Sequence, residues 1–169
     1  QIVIENMYGY SFDKPARHMR EYLDVLVPLV REGAADATGE TLQGHLALST
    51  DRTHPLPVLL AALAPQMLRL AGGVADGTIL WMTGPDTVES HIVPTITSAA
   101  DPAGRPAPRV VCILPIAVTD DVAGARERAA EIFAIYGQLP SYRAMLDREG
   151  AATPGDVAIV GDAASVTAQ

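Results

Sequence analysis

Residues 57–84 read PVLLAALAPQMLRLAGGVADGTILWMTG. Pro57–Ala62 is a short, continuously apolar run, which is typical of a strand that is covered on both faces of its sheet. Pro65 begins a predicted helix that the glycine pair 72–73 ends, and Thr78–Met82 is predicted to be a second buried strand. This order predicts a βαβ unit, which has two parallel strands and a right-handed crossover.

The same alternation continues along the chain. Apolar spacing predicts a helix over 85–96, which Pro94 is expected to interrupt. Arg109–Val118 is the strongest strand pattern, although Pro115 inside it is unusual for a central strand. Because buried strands alternate with helices, the fold class is α/β with parallel βαβ units. Periodicity alone leaves open whether the sheet is flat or closes into a barrel.

Further helical segments follow the third strand. Residues 119–121, Thr-Asp-Asp, are predicted to cap a helix over 122–136. Another helix is predicted over 140–149, and Gly150 ends it. Val157–Asp162 fits either a short strand or the approach to one more helix.

The segment before residue 57 has a different character. Asp13 is predicted to cap an amphipathic helix that Gly33 ends, and Pro28 is expected to kink or interrupt its last turns. Residues 34–56 are polar and irregular, which predicts a loop or a small hairpin.

Composition excludes several classes of protein. The chain has 169 residues, 49% of them hydrophobic, which fits one domain with a real core and not a disordered chain. Twelve Lys and Arg against 20 Asp and Glu give a net charge of −8, which argues against nucleic-acid and anionic-membrane partners. No apolar run approaches the roughly 20 residues of a membrane span. The first residues carry no pattern of a secretory signal peptide, and the start without Met suggests a processed chain.

The spacing of the cysteine and the histidines does not indicate a metal site or a reactive thiol. Cys112 is the single cysteine and lies in an apolar strand pattern, so we expect an inert core thiol in a reducing cytoplasm. His18, His45, His54 and His91 lack the spacing of a metal site, and no metal is predicted. Phosphate-binding and nucleophile motifs with fixed glycine spacing are absent from the sequence.

Two predicted strand ends suit an anion. The first is the turn Ala62–Met67, where the first N–H groups of a helix point beyond the sheet. The second is Met82–Gly84, where a hydroxyl and a glycine N–H could hold a phosphate. The alternative is that both are compact turns selected only for close fit to their neighbours. In parallel α/β folds, functional residues gather at these carboxyl ends of strands.

Three segments together resemble one known family. Tyr8–Leu23 resembles the segment after the fourth barrel strand of luciferase-like monooxygenases. Pro57–Gly72 is similar to their next strand and helix, and Ala75–Pro85 to the strand after that. The combined pattern is most similar to the branch that uses coenzyme F420, a deazaflavin.

The resemblance implies a (β/α)8 TIM barrel of the bacterial luciferase type that binds FMN or the deazaflavin across its C-terminal strand ends. It implies that the cofactor phosphate meets two turns of this chain. Those residues are Ala62, Leu63, Ala64, Pro65 and Gln66 in the first turn, and Met82, Thr83 and Gly84 in the second. The family often has glycine where this chain has Ala64, whose methyl group would hinder a close approach of the phosphate.

The leading expectation is a coenzyme F420-dependent oxidoreductase that transfers hydride between the deazaflavin and a small organic substrate. An FMN-dependent monooxygenase is the alternative enzyme, and a non-catalytic binding or assembly module is the alternative of another class. No general acid or base is assigned, because family members often recruit these groups from early barrel loops.

The length bears on these expectations. A complete barrel of this type usually needs about 250 residues. We therefore expect a single luciferase-like domain over 1–169 that is incomplete and contains about barrel strands five to seven. Exposed strand edges in such a partial barrel predict self-association into a homo-oligomer.

Overall fold

The structure is a computed structural model that describes residues 3–50 and 56–169. The chain forms two compact units, Gln1–Val58 and Leu59–Gln169. His54 lies outside the described residues. The single domain expected over 1–169 stays a prediction.

The first unit is a long helix with a hairpin. A π-helical turn, Val3–Met7, precedes helix α1, Pro15–Glu32, and strands β1, Ala34–Thr38, and β2, Gln43–Ala47, form an antiparallel pair. The predicted helix and hairpin are confirmed. Two details were wrong. Lys14, with φ +49°, is the N-cap in place of Asp13, and α1 continues through Pro28 to Glu32, because one lost backbone hydrogen bond does not outweigh the others.

Glu21 fixes the hairpin turn to α1. Its carboxylate accepts hydrogen bonds from the backbone N–H groups of Glu40, Thr41 and Leu42 at 3.0, 2.7 and 3.0 Å. It also accepts one from the Thr41 hydroxyl at 2.7 Å. Chiefly these bonds with Thr41 hold the pKa of Glu21 below its ordinary value.

The second unit begins with a parallel three-stranded sheet in the order β3-β4-β5. The strands are β3, Leu59–Ala61, β4, Gly77–Trp81, and β5, Arg109–Ile113. Helix α2, Pro65–Val74, connects the first two strands. A helical run of α3, Pro85–Thr87, a π-helical turn, Val88–Ile92, and α4, Val93–Ala100, precedes β5. The predicted βαβ units are confirmed.

A second parallel pair follows. It consists of β6, Ile116–Val118, and β7, Ile159–Gly161. Between them lie α5, Val122–Ile132, a 3-10 turn, Ala134–Gly137, α6, Pro140–Glu149, and another 3-10 turn, Pro154–Val157. Helix α7, Ala163–Ala168, follows β7. The segment Val157–Asp162 therefore contains a short strand and also leads into a helix, which are the two alternatives that the sequence left open. Asp121 caps α5 as predicted, by accepting from the Gly124 N–H at 2.9 Å. That helix ends at Ile132, four residues before the predicted end.

Proline and glycine acted differently from expectation at three places. Pro115 divides the predicted strand Arg109–Val118 into β5 and β6, since it cannot donate to a ladder. Pro94 does not interrupt its helix, because it lies in the first turn of α4, directly after the π-helical turn, where a proline is tolerated. Gly72 and Gly73 lie inside α2. Gly72 allows α2 to meet α4 so closely that a Cβ there would overlap the Ile96 carbonyl.

The core of the second unit holds the strand ends in place. Leu68, Leu80, Ile92 and Ile96 are almost completely buried. Trp81, at the end of β4, contacts the Phe133 ring edge-on, with centroids 5.6 Å apart. Within residues 3–50 and 56–169, no helix is long and apolar enough to cross a membrane.

Candidate functional site

The two predicted turns follow neighbouring strands. Strands β3 and β4 are parallel and pair directly, with Ala61 opposite Ile79. The turn Ala62–Gln66 therefore leaves the sheet at the same edge as Met82–Gly84. The structure brings together the two sets of residues that the sequence singled out.

The first turn presents unpaired donors to solvent. Ala62 is buried and Leu63 is half-buried, whereas Ala64, Pro65 and Gln66 are exposed. Ala64 is the N-cap of α2, no side chain caps this helix, and its first turn has no acidic residue. Among the described residues, nothing accepts a hydrogen bond from the N–H groups of Gln66 and Met67. These donors, at the positive end of the helix dipole, suit an anion.

Two buried side chains, Thr78 and His91, contact backbone carbonyl oxygens at this turn and at the end of the strand before it. The Thr78 hydroxyl donates to the carbonyl oxygens of Leu60 at 2.8 Å and Ala62 at 3.4 Å. The Nε2 atom of His91 lies 3.2 Å from the Leu63 carbonyl oxygen. His91 is 8% exposed. The backbone of Ala62–Ala64 is thus fixed by β4 and by the helix that follows it.

The sequence interpretation missed His91, because it considered this histidine only as a metal ligand. A signal was present. His91 lies three residues after Val88, beside the apolar stripe of Ile92 and Ile96, so its side chain points towards the sheet. A histidine on such a face needs a buried partner, and the nearest turn supplies a carbonyl.

The second turn is buried. Met82, Thr83 and Gly84 are almost inaccessible to solvent. Met82 has φ +54°, a left-handed conformation that is unfavourable for a side chain of this size. The Thr83 hydroxyl donates to the Trp81 carbonyl at 3.4 Å. The single proton of this hydroxyl is therefore used within the protein backbone contact and does not point to a ligand.

A carboxylate already lies at the start of the helix after this turn. Glu149 accepts hydrogen bonds from the backbone N–H groups of Asp86 at 3.2 Å and Thr87 at 2.7 Å. A Cβ at position 84 would overlap the same carboxylate. An anionic ligand here would meet both occupied donors and a like charge, so the geometry favours the first turn. A cofactor-binding role for Met82, Thr83 and Gly84 stays a prediction.

Cys112 is not the core thiol that the sequence predicted. The residue is exposed, and its Sγ donates to the Thr83 carbonyl at 3.0 Å. The strand was expected to be buried, but here Cys112 faces a cavity. Partial desolvation of the sulfur raises the pKa of the thiol, and the Glu149 charge adds to this. An inert thiol is thus still favoured.

The cavity has a volume of about 810 Å³, which is within the range of small-molecule sites. Its polar lining includes Thr83, Cys112 and Glu149. Most of the remaining wall is apolar and includes Val88, Val93, Leu114 and Val157. None of Ala62–Gln66 lines it, so the cavity and the uncapped turn are separate features. Over residues 3–50 and 56–169, no three potential ligand side chains are grouped to hold a metal ion.

The comparisons with known proteins fit this architecture. The sequence model of the family described as luciferase-like monooxygenase matches residues 1–163. The chain belongs to the luciferase-like monooxygenase family. The resemblance carried by the three sequence segments is thereby confirmed.

Individual relatives are more distant. The chain is 27% identical over 81 residues to a 5,10-methylenetetrahydromethanopterin reductase of Archaeoglobus fulgidus, a match that covers 48% of this chain and 24% of that protein. The chain thus spans about a quarter of the length of this curated relative.

Two solved structures share the fold. One is the coenzyme F420-dependent tetrahydromethanopterin reductase of Methanopyrus kandleri, with TM-score 0.65, 23% identity, and coverage of 81% of this chain and 40% of that one. The other is an F420-dependent secondary alcohol dehydrogenase in complex with an F420–acetone adduct, with TM-score 0.70, 16% identity, and coverage of 96% and 54%. The parallel βαβ units are those of a partial (β/α)8 barrel of the luciferase-like type, as predicted.

Proposed function

We propose that this chain forms the C-terminal part of a coenzyme F420-dependent oxidoreductase and contributes the turn that binds the anionic tail of the cofactor. The observation that carries the proposal is the exposed, uncapped N-terminus of α2 at the end of β3. Support also comes from the family match and from the two related folds, both of which belong to F420-dependent enzymes.

The first turn fits a phosphate group. The N–H groups of Gln66 and Met67 would donate to its oxygens, and no acidic side chain of that helix turn opposes it. Ala64 has φ −76° and ψ 147°, an extended conformation that alanine adopts without strain. The replacement of the family's glycine therefore leaves only the volume of a methyl group to accommodate. When bound, the deazaflavin would exchange hydride with a small organic substrate.

Three further residues would orient the first turn and keep anions out of the second. Thr78 and His91 hold the backbone of the first turn, while Glu149 keeps anions away from the start of the neighbouring helix. Rigid support of this kind is what a bound cofactor needs from its protein. No described residue is assigned as a proton donor or acceptor in the reaction.

Fluorescence titration tests the choice of cofactor. We expect the full chain to bind F420 at micromolar concentration and FMN at least tenfold more weakly. Micromolar binding of FMN with none of F420 would overturn the proposal. That result would favour the second enzyme candidate, an FMN-dependent monooxygenase, to which the name of the family points.

A non-catalytic assembly module is the candidate of another class. It is favoured by the exposure of Ile116 and Val118 on β6, 65% and 64%. We propose a cytoplasmic homo-oligomer that covers these side chains. Size-exclusion chromatography with a trace at the cofactor's absorbance separates the candidates. A coloured oligomer supports the enzyme, and a colourless aggregate or monomer supports the module.

A further inference from the structure

We infer that His91 is a positioning residue for the cofactor, because it sets the direction of the donors in the turn Ala62–Gln66. This inference rests on the proposed function and adds to it the residue that shapes the anion-binding turn. The observation behind it is the 3.2 Å contact between His91 Nε2 and the Leu63 carbonyl oxygen.

The contact indicates which ring nitrogen of the imidazole carries a proton. A carbonyl oxygen can only accept, so Nε2 must carry the proton and donate it. His91 is 92% buried, so this hydrogen bond is protected from competing water. Loss of the imidazole would leave the Leu63 carbonyl without this donor.

The geometry of the peptide bond transmits the effect to the exposed side of the turn. The peptide between Leu63 and Ala64 is trans, so the Leu63 carbonyl and the Ala64 N–H point in opposite directions. Holding the carbonyl towards His91 therefore holds the Ala64 N–H away from it. No described residue accepts from that N–H, and Ala64 is exposed.

The position of His91 in its helix agrees with this role. It lies in the π-helical turn Val88–Ile92, and such turns redirect side chains and occur often at functional sites. Thr95 donates to the His91 carbonyl at 2.6 Å, which holds the same turn from the other side. The start of the helical run is fixed independently by Glu149.

The test compares affinity for two ligands in three variants of the full chain. The ligands are F420 and the same deazaflavin without its phosphate-bearing side chain. His91→Leu removes the donor, His91→Gln keeps an N–H near the position of Nε2, and Ser98→Ala is the control on an exposed residue of the same helical run.

We expect H91L to lose about tenfold in affinity for F420, the effect of one neutral hydrogen bond, and to bind the shortened deazaflavin like the wild type. H91Q and S98A should stay within about threefold of the wild type for both ligands. An equal loss for both ligands in H91L, or no loss for either, would overturn the inference.

A second measurement keeps this test separate from that of the proposed function. If the wild type binds neither F420 nor FMN, the proposed function fails, and inorganic phosphate then serves as the probe. Phosphate should shift the amide NMR signals of Ala64, Gln66 and Met67 in the wild type and much less in H91L. No shift in the wild type, or equal shifts in both proteins, would overturn the role of His91.

The imidazole itself can be observed without a substitution, which covers the case in which H91L does not fold. Nitrogen NMR of labelled histidine distinguishes the two neutral tautomers. The Nε2-protonated form is expected for His91, and the Nδ1-protonated form would rule out the bond to Leu63.

Discussion

The carboxylate of Glu149 accepts a 2.7 Å hydrogen bond from the backbone N–H of Thr87, which lies 62 residues earlier in the chain. The Thr87 hydroxyl forms a second hydrogen bond between the same two segments, by donating to the Met145 carbonyl at 3.2 Å. Thr87 is completely buried. The end of α6 and the start of the helix after β4 are therefore held together by bonds in both directions.

Glu149→Ala should destabilise the protein by about 1–2 kcal/mol. The substitution leaves two backbone N–H groups at the start of a helix without their acceptor, and one of them belongs to a buried residue. For a chain of this size, the midpoint of thermal unfolding should fall by roughly 2–8 °C.

The matched control is Glu131→Ala on the exposed side of α5, which should stay within about 0.5 kcal/mol of the wild type. Equal melting of the two variants would show that Glu149 contributes no more than an ordinary surface residue.

Gly72→Ala and Gly73→Ala should change the stability of the protein in opposite directions. A Cβ at Gly72 would overlap the Ile96 carbonyl, whereas the nearest atom to a Cβ at Gly73 is the Ala99 carbonyl oxygen at 3.9 Å, an ordinary contact. G73A should stabilise by about 0.5–1 kcal/mol through helix propensity. G72A should destabilise by about 2 kcal/mol or more, because α2 and α4 must separate. Chemical denaturation measures both, and a stabilising G72A would contradict the close contact.

The glycine pair also shows what the sequence could and could not predict. The strands around Leu60, Leu80 and Val111 follow from local apolar runs, and so does their parallel arrangement. Gly72 is a helix stop by local rules, yet its role depends on Ile96, which lies on another helix. Local pattern carries no information about such a contact.

The candidate site divides in the same way. The turn around Ala64 could be found from sequence, because a strand followed directly by a helix places free N–H groups at its end. The sequence did not reveal that His91 contacts the first turn or that Glu149 binds the helix after the second turn. The contact of His91 joins residues that are 28 positions apart in the chain, and the bonds of Glu149 join residues that are 62 and 63 positions apart. The sequence therefore predicted two turns for an anion but did not distinguish the turn with free N–H groups from the turn beside Glu149.

The hairpin of the first unit should loosen in acid. The pKa of Glu21 is lowered by its bonds with Thr41, so the ionised form favours the folded state. Its contribution is fully present above the ordinary value of 4.5 and is lost as the pH falls through the lower pKa of the folded state. Amide exchange of Thr41 and Leu42, followed from pH 6 downward, should show this step. Glu21→Gln should abolish it, whereas Glu32→Gln at the exposed end of α1 should retain it.

Cys112 should react slowly with alkylating agents despite its exposure. Thiolate is the reactive form, and desolvation together with the Glu149 charge raises the pKa of this thiol. Alkylation by iodoacetamide at pH 8 should be several-fold slower in the native protein than in the same protein unfolded in urea. Glu149→Gln should increase the native rate. Equal native and unfolded rates would contradict the raised pKa.

Ala64→Asp should stabilise the protein while it weakens cofactor binding. Ala64 already has the extended conformation of an N-cap, and an Asp carboxylate there would accept from the free N–H groups of Gln66 and Met67. We expect a gain of about 0.5–2 kcal/mol in stability, measured by thermal unfolding. We also expect a loss of at least tenfold in affinity for F420, measured by fluorescence titration, because the carboxylate occupies the donors and repels phosphate.

Ala64→Ser separates the two effects, since it caps the same N–H groups without a charge. It should stabilise the protein in a similar way and lose less affinity than A64D. If A64D melts higher than the wild type yet binds F420 equally well, the phosphate lies elsewhere. The turn at Ala64 would then be only the compact connection that the sequence left open as its alternative.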